Sequence, residues 1–443
     1  MSYLPNAASE RAEMLKVLEL ERIEDLFRQI PERLRLDHVD LPEPLSEPEL
    51  VQYFRELGRQ NIRIAPSHSF LGAGASRRFS PAIVNAVISR PDFYTTYTPY
   101  QAEASQGTLQ ATYEFQTMIT LLTGLDVANA SLYDGATALA EAVKMAVAQT
   151  NRKNVVVAGA LHPEYAQVLQ TYSEAQDYEI LRVGPGRDGR VDSTRLAAAI
   201  TETSAAVVLQ QPNFFGVVED APRVSELAHR AGALLVACVD PISLGVLSSP
   251  GEYGADLAVG DGQPLGIPLS FGGPYVGFIA CREALMRRMP GRLVGATVDA
   301  EGRRGYVLTL QAREQHIRRE NATSNITTNH ALMALAATVY LASMGGKGLK
   351  ALAELSAARA HDLAQSVAAR PGYGLAFDAP FLWEFGLTTP HPAEQVQERM
   401  LERGILPGLP LGRYFPEHRN VLLVSVTELN DPGALDMFVE ALP

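Results

Sequence analysis

Residues Val259–Phe278, "VGDGQPLGIPLSFGGPYVGF", decide how this chain is read. The preceding "ADLA" extends "VGDG" into an apolar strand, a Gly/Pro-rich loop follows, and "YVGF" opens a second apolar run. A buried strand ending in a loop presents its last side chains at the carboxyl edge of a sheet, where open α/β folds bind ligands. The side chain offered there is Gln263. Its carboxamide hydrogen-bonds well, but the nitrogen lone pair is delocalised and is no nucleophile.

Outward from this stretch, from about Ala65 to Arg319, strands and helices alternate. "NVVVAGAL", "YEILRVG", "AAVVLQQ" and "ALLVACVD" are continuous apolar runs, interleaved with helices such as "PEYAQVLQTYSEA" and "APRVSELAHRAG". Strands without polar alternation belong to a mostly parallel sheet covered by helices on both faces. The fold class is therefore α/β, with a large sheet domain over residues 65–328. Residues 1–64 read as a helical segment: "ERAEMLKVLELERIEDLFRQI" has helical spacing, and Ser46 with Glu49 predicts a capping box for "EPELVQYFRELGRQ". Residues 329–443 read as a smaller C-terminal α/β domain. There "ALMALAATVYLASM" and "GLKALAELSAARAHDLAQSVAAR" are helical on either side of a Gly-Gly joint, and "NVLLVSVTEL" is a strand.

Of 443 residues, 47% are hydrophobic and 20% charged, with a formal net charge of −12. That balance suits a globular chain and argues against nucleic acid as a general partner. The basic stretch "RRMPGRLVGATVDAEGRRGY" is read as a solvated or subunit-contacting loop, an anionic ligand being the alternative. "MSYLPNAASERAEML" lacks the basic start and apolar run of a signal peptide, and stretches such as "AGALLVACV" are too short to span a membrane. A cytoplasmic location is expected. Cys238 and Cys281 are the two cysteines, both in apolar runs, and are expected to be buried thiols. The scattered histidines suggest no metal site.

"GPGRDG" matches G-x-G-x-x-G at Gly184, Gly186 and Gly189, but a dinucleotide site needs a helix to open at the glycines, and Pro185 and a short extended "RVD" argue against one. Other stretches carry more. In "ASLYDGATALAEAVKMAV" a strong helix follows Asp134-Gly135-Ala136-Thr137, and small residues at a helix N-terminus suit an anion, or simply a well-capped helix. His162 follows the strand "VVVAGAL", able to stack on a ligand ring or to bond its helix neighbours. Asp240 ends "LLVACV", able to bind a protonated ring nitrogen or to cap the turn Pro241-Ile242-Ser243. In "FYTTYTPYQAEASQGTLQ", Tyr94, Tyr97 and Tyr100 surround Pro99 on a loop, with Glu103 and Gln106 beyond. Phenols and amides on a rigid loop can hold a small carboxylate or fill an interface.

In order, the Gly/Thr helix start, the His, the Asp and the Gly-Gly loop reproduce the layout of fold-type-I pyridoxal phosphate enzymes. That layout places its imine-forming lysine where Gln263 stands, 23 positions after Asp240. The lysines present, Lys16, Lys144, Lys153, Lys347 and Lys350, end no buried strand. Gly135, Thr137, His162, Asp240 and Gln263 thus frame a cofactor pocket without an attachment point.

"YTPYQAEASQG", "YEFQTM", "LTGLDVANASLYDGATALAEA", "GDGQPLGIPLSFGGPYVGF", "VDAEGRRGYVLTLQAREQHIRRENATSNITTN" and "VTEL" resemble the glycine-cleavage-system P-protein family, in particular its N-terminal half, which occurs as a separate alpha subunit (subunit 1). The resemblance implies glycine dehydrogenase (aminomethyl-transferring) activity shared with a homologous beta subunit (subunit 2) in an α2β2 tetramer. Pyridoxal phosphate would sit on the lysine of beta alone, glycine would be decarboxylated there, and the lipoyl arm of the H-protein would receive the aminomethyl group. Tyr97 and Tyr100 would then reach the partner's site as hydrogen-bond donors, with Glu103 and Gln106 orienting them. Ser324, Asn325, Thr327 and Thr328 are second candidates at that interface. Two alternatives remain: a non-catalytic scaffold that docks the H-protein, and a self-sufficient pyridoxal enzyme using another lysine.

Overall fold

The computed structural model describes residues 6–36 and 38–443, so the first five residues of the N-terminal segment lie outside the described residues. The chain forms two compact units, Met1–Ile62 and Arg63–Pro443.

In the first unit, Glu47–Arg59 is a helix opened by the expected capping box, the Ser46 N–H donating to Glu49 Oε2 at 2.9 Å. The helix expected over residues 10–30 is shorter. It spans Ala8–Val17, Glu19 turns to φ 56°, and the chain resumes as a 3₁₀ turn at Ile23–Phe27. No residue of Ala8–Val17 is buried, so only local propensity supports it, and a helix that short is marginal. The Asp25 carboxylate starts the new turn by accepting from the Arg22 N–H at 2.9 Å.

The second unit is built on a seven-stranded sheet of β1 (Val127–Ala128), β2 (Asn154–Ala158), β3 (Glu179–Val183), β4 (Ser204–Gln211), β5 (Leu234–Val239), β6 (Leu257–Asp261) and β7 (Gly277–Cys281), in the order β3-β2-β4-β5-β6-β7-β1. Only β7 runs antiparallel to its neighbours. Alternate strand residues feed opposite layers. Val155, Val157, Val208 and Val236 pack with Leu139, Val143 and Leu169 on one face, while Val156, Val207 and Leu235 pack with Val224, Phe115 and Tyr340 on the other. Both faces are buried, which explains the unbroken apolar runs. A hairpin of β8 (Leu293–Val298) and β9 (Arg304–Thr309) follows. An antiparallel sheet comes last, of β10 (Gly374–Leu375), β11 (Glu384–Thr388), β12 (Leu409–Pro410) and β13 (Val421–Ser425).

The "GPGRDG" stretch makes a turn, Gly186 N–H donating to the Arg190 carbonyl, and the helix opens later, at Ser193, capped by Asp192. Both cysteines are buried and free, and burial pushes each thiol up to about 12. The longest helix, Ala331–Ala368, is interrupted at Gly345 (φ 58°, ψ 177°), as the Gly-Gly joint predicts. Among the described residues it is the one helix long and apolar enough to cross a membrane, which corrects the expectation that no stretch reaches that length. Lys347 and Lys350 interrupt its apolar run in the sequence, but Tyr340, Leu349 and Leu363 bury both halves in the core.

The decisive stretch supplies β6, the loop that reverses the chain, and β7. Gly277 joins Leu132 by paired backbone bonds of 2.8 and 3.2 Å. A Cβ at Gly277 would lie 2.2 Å from the Asp134 carbonyl oxygen. The helix start at Asp134 therefore rests directly on β7. Replacing Gly277 with Ala is expected to cost about 3 kcal/mol through this backbone clash, read as a lower midpoint in denaturant unfolding with an unchanged slope.

Candidate ligand pocket and tyrosine loop

The carboxyl ends of β4, β5 and β6 open into a pocket of about 770 Å³, its mouth included, lined among others by His162, Phe214, Asp240, Asp261, Trp383 and Glu384. Four of these, Phe214, Asp261, Trp383 and Glu384, went unremarked in the sequence. Trp383 and Glu384 arrive from the C-terminal sheet, too far along the chain for any local spacing to connect them with the strand ends.

His162 ends the loop after β2 and caps the helix Pro163–Gln176. Its Nδ1 accepts from the Glu164 N–H at 3.1 Å, and Nε2 lies 3.0 Å from the Ala73 carbonyl. A carbonyl only accepts, so these partners fix the neutral Nε2–H tautomer. Burial, the dominant effect, lowers the ring's pKa in the same direction. Asp240 caps its turn, Oδ1 accepting from the Ile242 N–H at 2.8 Å. Its other oxygen has no partner among the described residues, and burial raises its pKa.

Asp261, at the end of β6, takes the place an anion would need. Its Oδ2 accepts from the Gly135 N–H at 3.0 Å, and Oδ1 from the Gln263 N–H at 2.8 Å. Asp134 Oδ1 accepts from the Thr137 N–H at 2.7 Å. Two N–H groups of the first helical turn are thus already satisfied by carboxylates. Burial pushes Asp261 up to about 7, against the lowering effect of its backbone donors. A Cβ on Gly135 would meet the Tyr165 hydroxyl at 2.2 Å, so the helix start is covered from above as well.

Gln263 points away from the strand ends toward the segment 72–76. Its Oε1 accepts from the Ser76 N–H at 3.0 Å, while Nε2 donates to the Ser76 carbonyl at 3.0 Å and to the Ile267 carbonyl at 2.8 Å. The segment it holds crosses the pocket: Ala73 offers its carbonyl to His162 and its N–H to Glu384 Oε1 at 2.7 Å. Burial pushes Glu384 up to about 7.

A phosphorylated pyridoxal does not fit these residues. The helix N-terminus that would cradle a phosphate is occupied by Asp134 and Asp261, no lysine or arginine lines the pocket, and residue 263 offers a carboxamide already committed to backbone. Of the five frame residues, His162 and Asp240 face the pocket, while Gly135, Thr137 and Gln263 are behind its lining.

The tyrosine loop is a separate place. Tyr97 and Tyr100 are 84% and 66% exposed around the buried Pro99, and none of residues 97–106 lines the pocket. Gln106 makes its hydrogen bonds to backbone and not to a phenol, against the expectation that it orients the tyrosines. Its Oε1 accepts from the Tyr306 N–H at 2.9 Å, and Nε2 donates to the carbonyls of Tyr306 at 2.8 Å and Ala102 at 2.7 Å, which fastens the base of the loop to β9. Glu103 is exposed. Below Tyr100 lies Arg292, 6% exposed, its guanidinium carbon 5.7 Å from the ring. Arg292 donates to the Thr327 carbonyl at 3.0 Å and Asn329 Oδ1 at 3.3 Å, and approaches Thr328 Oγ1 at 3.5 Å. Tyr100, Thr327 and Thr328 thus share one surface, through a residue not singled out in the sequence. The signal for it was a lone arginine in "MPGRLVG", a charge directly before an apolar strand. Ser324 turns inward, its Oγ accepting from the Ile326 N–H at 3.1 Å, and Asn325 is exposed. Among the described residues, no group of three or more His, Cys, Asp or Glu is placed to hold a metal ion.

Sheet order, the single antiparallel strand and the pocket at the strand ends define an α/β chain of the fold-type-I pyridoxal phosphate enzyme architecture. A Burkholderia pseudomallei sphingosine-1-phosphate lyase shares that fold at TM-score 0.66 and 14% identity, covering 92% of each chain. More narrowly, the chain belongs to the glycine cleavage system P-protein family, whose model matches residues 1–442. It is 50% identical over 443 residues to the "probable glycine dehydrogenase (decarboxylating) subunit 1" of Moorella thermoacetica, covering 100% of this chain and 99% of that protein. A crystal structure of glycine decarboxylase (P-protein) of the glycine cleavage system, in inhibitor-bound form, superposes at TM-score 0.90 and 45% identity, with 100% of this chain and 99% of that one covered.

The pocket carboxyls make stability fall as pH rises. Glu384 holds its proton to about 7 when folded, against about 4.3 when unfolded. Its contribution is complete below the unfolded value and is lost as pH climbs through the folded one. Glu384→Gln keeps the acceptor for the Ala73 N–H. Between pH 5 and 7, unfolding free energy in denaturant is expected to fall less steeply in this variant than in the wild type, by about 1 kcal/mol per pH unit.

Proposed function

We propose that this chain is the lysine-free subunit of a two-subunit glycine decarboxylase. With a homologous lysine-bearing subunit 2 (beta), in an α2β2 tetramer, it decarboxylates glycine and delivers the remaining aminomethyl group to the lipoyl arm of the H-protein. The observation that carries this reading is Gln263, bound to Ser76 at the strand end where the architecture anchors its cofactor, in a chain whose relatives are named subunit 1 of glycine dehydrogenase. Pyridoxal phosphate, held by the partner, supplies the electron sink for loss of CO2. Residues here contribute no bond to it through Gln263. The complex works in the cytoplasm.

What this chain brings to the partner's site is the tyrosine loop. Tyr97 and Tyr100 stand exposed on a loop fixed at its base by Gln106 and backed by the buried charge of Arg292. Phenols so placed donate hydrogen bonds to a glycine carboxylate or to the cofactor, and Arg292 behind Tyr100 favours the anion electrostatically. Thr327 and Thr328 extend the same surface, and Glu103 is exposed for contact beside it. A scaffold role is the second reading, favoured by the Gln106 bonds, all of which go to backbone.

Reconstituted with subunit 2 and H-protein, Tyr97→Phe and Tyr100→Phe are each expected to lower glycine decarboxylation about 10- to 100-fold while leaving assembly intact by gel filtration. Unchanged turnover in both would leave the loop a structural role only. Borohydride treatment of this chain alone with pyridoxal phosphate is expected to leave no pyridoxyl adduct at residues of the pocket, and a stoichiometric adduct there would refute the division of labour.

A further inference from the structure

The pocket has no part in the function proposed above, yet several of its polar groups have nothing to bind. Asp240 uses one oxygen for the Ile242 N–H and leaves the other unpartnered. Gln210 accepts from the His162 N–H through Oε1, and its Nε2 has no acceptor among the described residues. The Tyr165 hydroxyl has none either. Trp383 is 4% exposed, lines the pocket, and its indole N–H lacks an acceptor. Half-buried polar groups in this number, lining one cavity without a protein partner, are normally satisfied by water or ligand.

The charge of the site says which ligand. Asp240, Asp261 and Glu384 surround it, and no lysine or arginine is in the lining. The nearest guanidinium, Arg78, is outside the lining: it stacks on Trp383 at 4.9 Å, is paired with Glu428 at 2.9 Å, and acts on Asp240 and Glu384 only through space. An anion entering would meet three carboxyl groups and no basic side chain of the lining, whereas a cation gains from whichever of them is ionised. Phe214, Leu382 and Trp383 add apolar wall for a small carbon body.

We propose that this pocket binds a small primary ammonium compound, its N–H donors on the open oxygen of Asp240 and its acceptor groups on Gln210 and Tyr165. The helix start, which in this architecture would favour a phosphate, has been turned by Asp261 into part of a cation site. The inference stands apart from the reading of the complex, because it concerns this chain without its partner.

Trp383 is the only tryptophan in the sequence and lies in the wall of the pocket, so it reports directly. The full chain, without subunit 2, is titrated with ethanolamine hydrochloride at pH 7.5, with sodium chloride matched for ionic strength. Saturable change in Trp383 emission is expected, half-complete on the order of 1–10 mM, as suits so small a ligand. The single indole ¹⁵N–¹H resonance is expected to shift with the same midpoint. Asp240→Asn, which retains the acceptor for the Ile242 N–H, is expected to weaken binding about 10-fold or more, and inorganic phosphate is expected not to compete. Absence of saturation by both readouts in the folded wild type, equal affinity in Asp240→Asn, or equal binding of phosphate would each overturn the proposal. Where Asp240→Asn does not fold, Glu384→Gln replaces it, with weaker binding expected and unchanged binding counting against the site.

Discussion

A carboxamide carries a donor and an acceptor side by side, as a peptide group does, so a glutamine can pair with both backbone groups of one residue. Four glutamines here do so. Gln263 pairs with Ser76, Gln106 with Tyr306, Gln116 with Val294 and Gln211 with Glu219. Each acts as one unit of β-ladder where no strand could be inserted, and each satisfies backbone groups that would otherwise be buried at a cost of about 1–3 kcal/mol apiece. The Gln263 pair matters most. It draws the segment 72–76 over the ends of β5 and β6, which brings Ala73 within reach of both His162 and Glu384. The interior of the pocket is set by that one side chain.

The parts of the fold legible in the sequence are those governed by local pattern. Unbroken apolar runs announce strands buried on two faces, Ser46 and Asp134 announce helix starts, and the Gly-Gly joint announces the break in the long helix. His162 and Asp240 were legible because they follow strands closely. Their partners were not. The contacts that give these residues their states join positions far apart in the chain, such as Ala73 with Glu384, 311 residues away. Arg292 was hidden for the same reason, since the ring above it and the carbonyl it bonds come from either side in sequence. Helix length in the first unit was misjudged because amphipathic spacing counts only where a face is buried, and Ala8–Val17 buries none.

The pocket and the tyrosine loop show two outcomes for polar groups in one fold. In the pocket, carboxyls are withdrawn from water and burial raises Asp261 and Glu384 to about 7, against the lowering effect of backbone N–H groups. On the loop, phenols remain in solvent while the structure beneath them is tied down through Gln106 and Arg292. Rigid support under exposed polar aromatics suits a surface that meets another protein without rearranging.

Asp261 makes this pocket hard to convert into a coenzyme site. An amine placed at position 263 would set three donors against the Ser76 N–H and release the segment that shapes the interior, and the helix start would still be filled by a carboxylate. Several changes would have to arrive together, each harmful without the others. The misfit of a coenzyme here therefore behaves as a ratchet, kept by the interlocking of side chains as much as by the want of one reactive nitrogen.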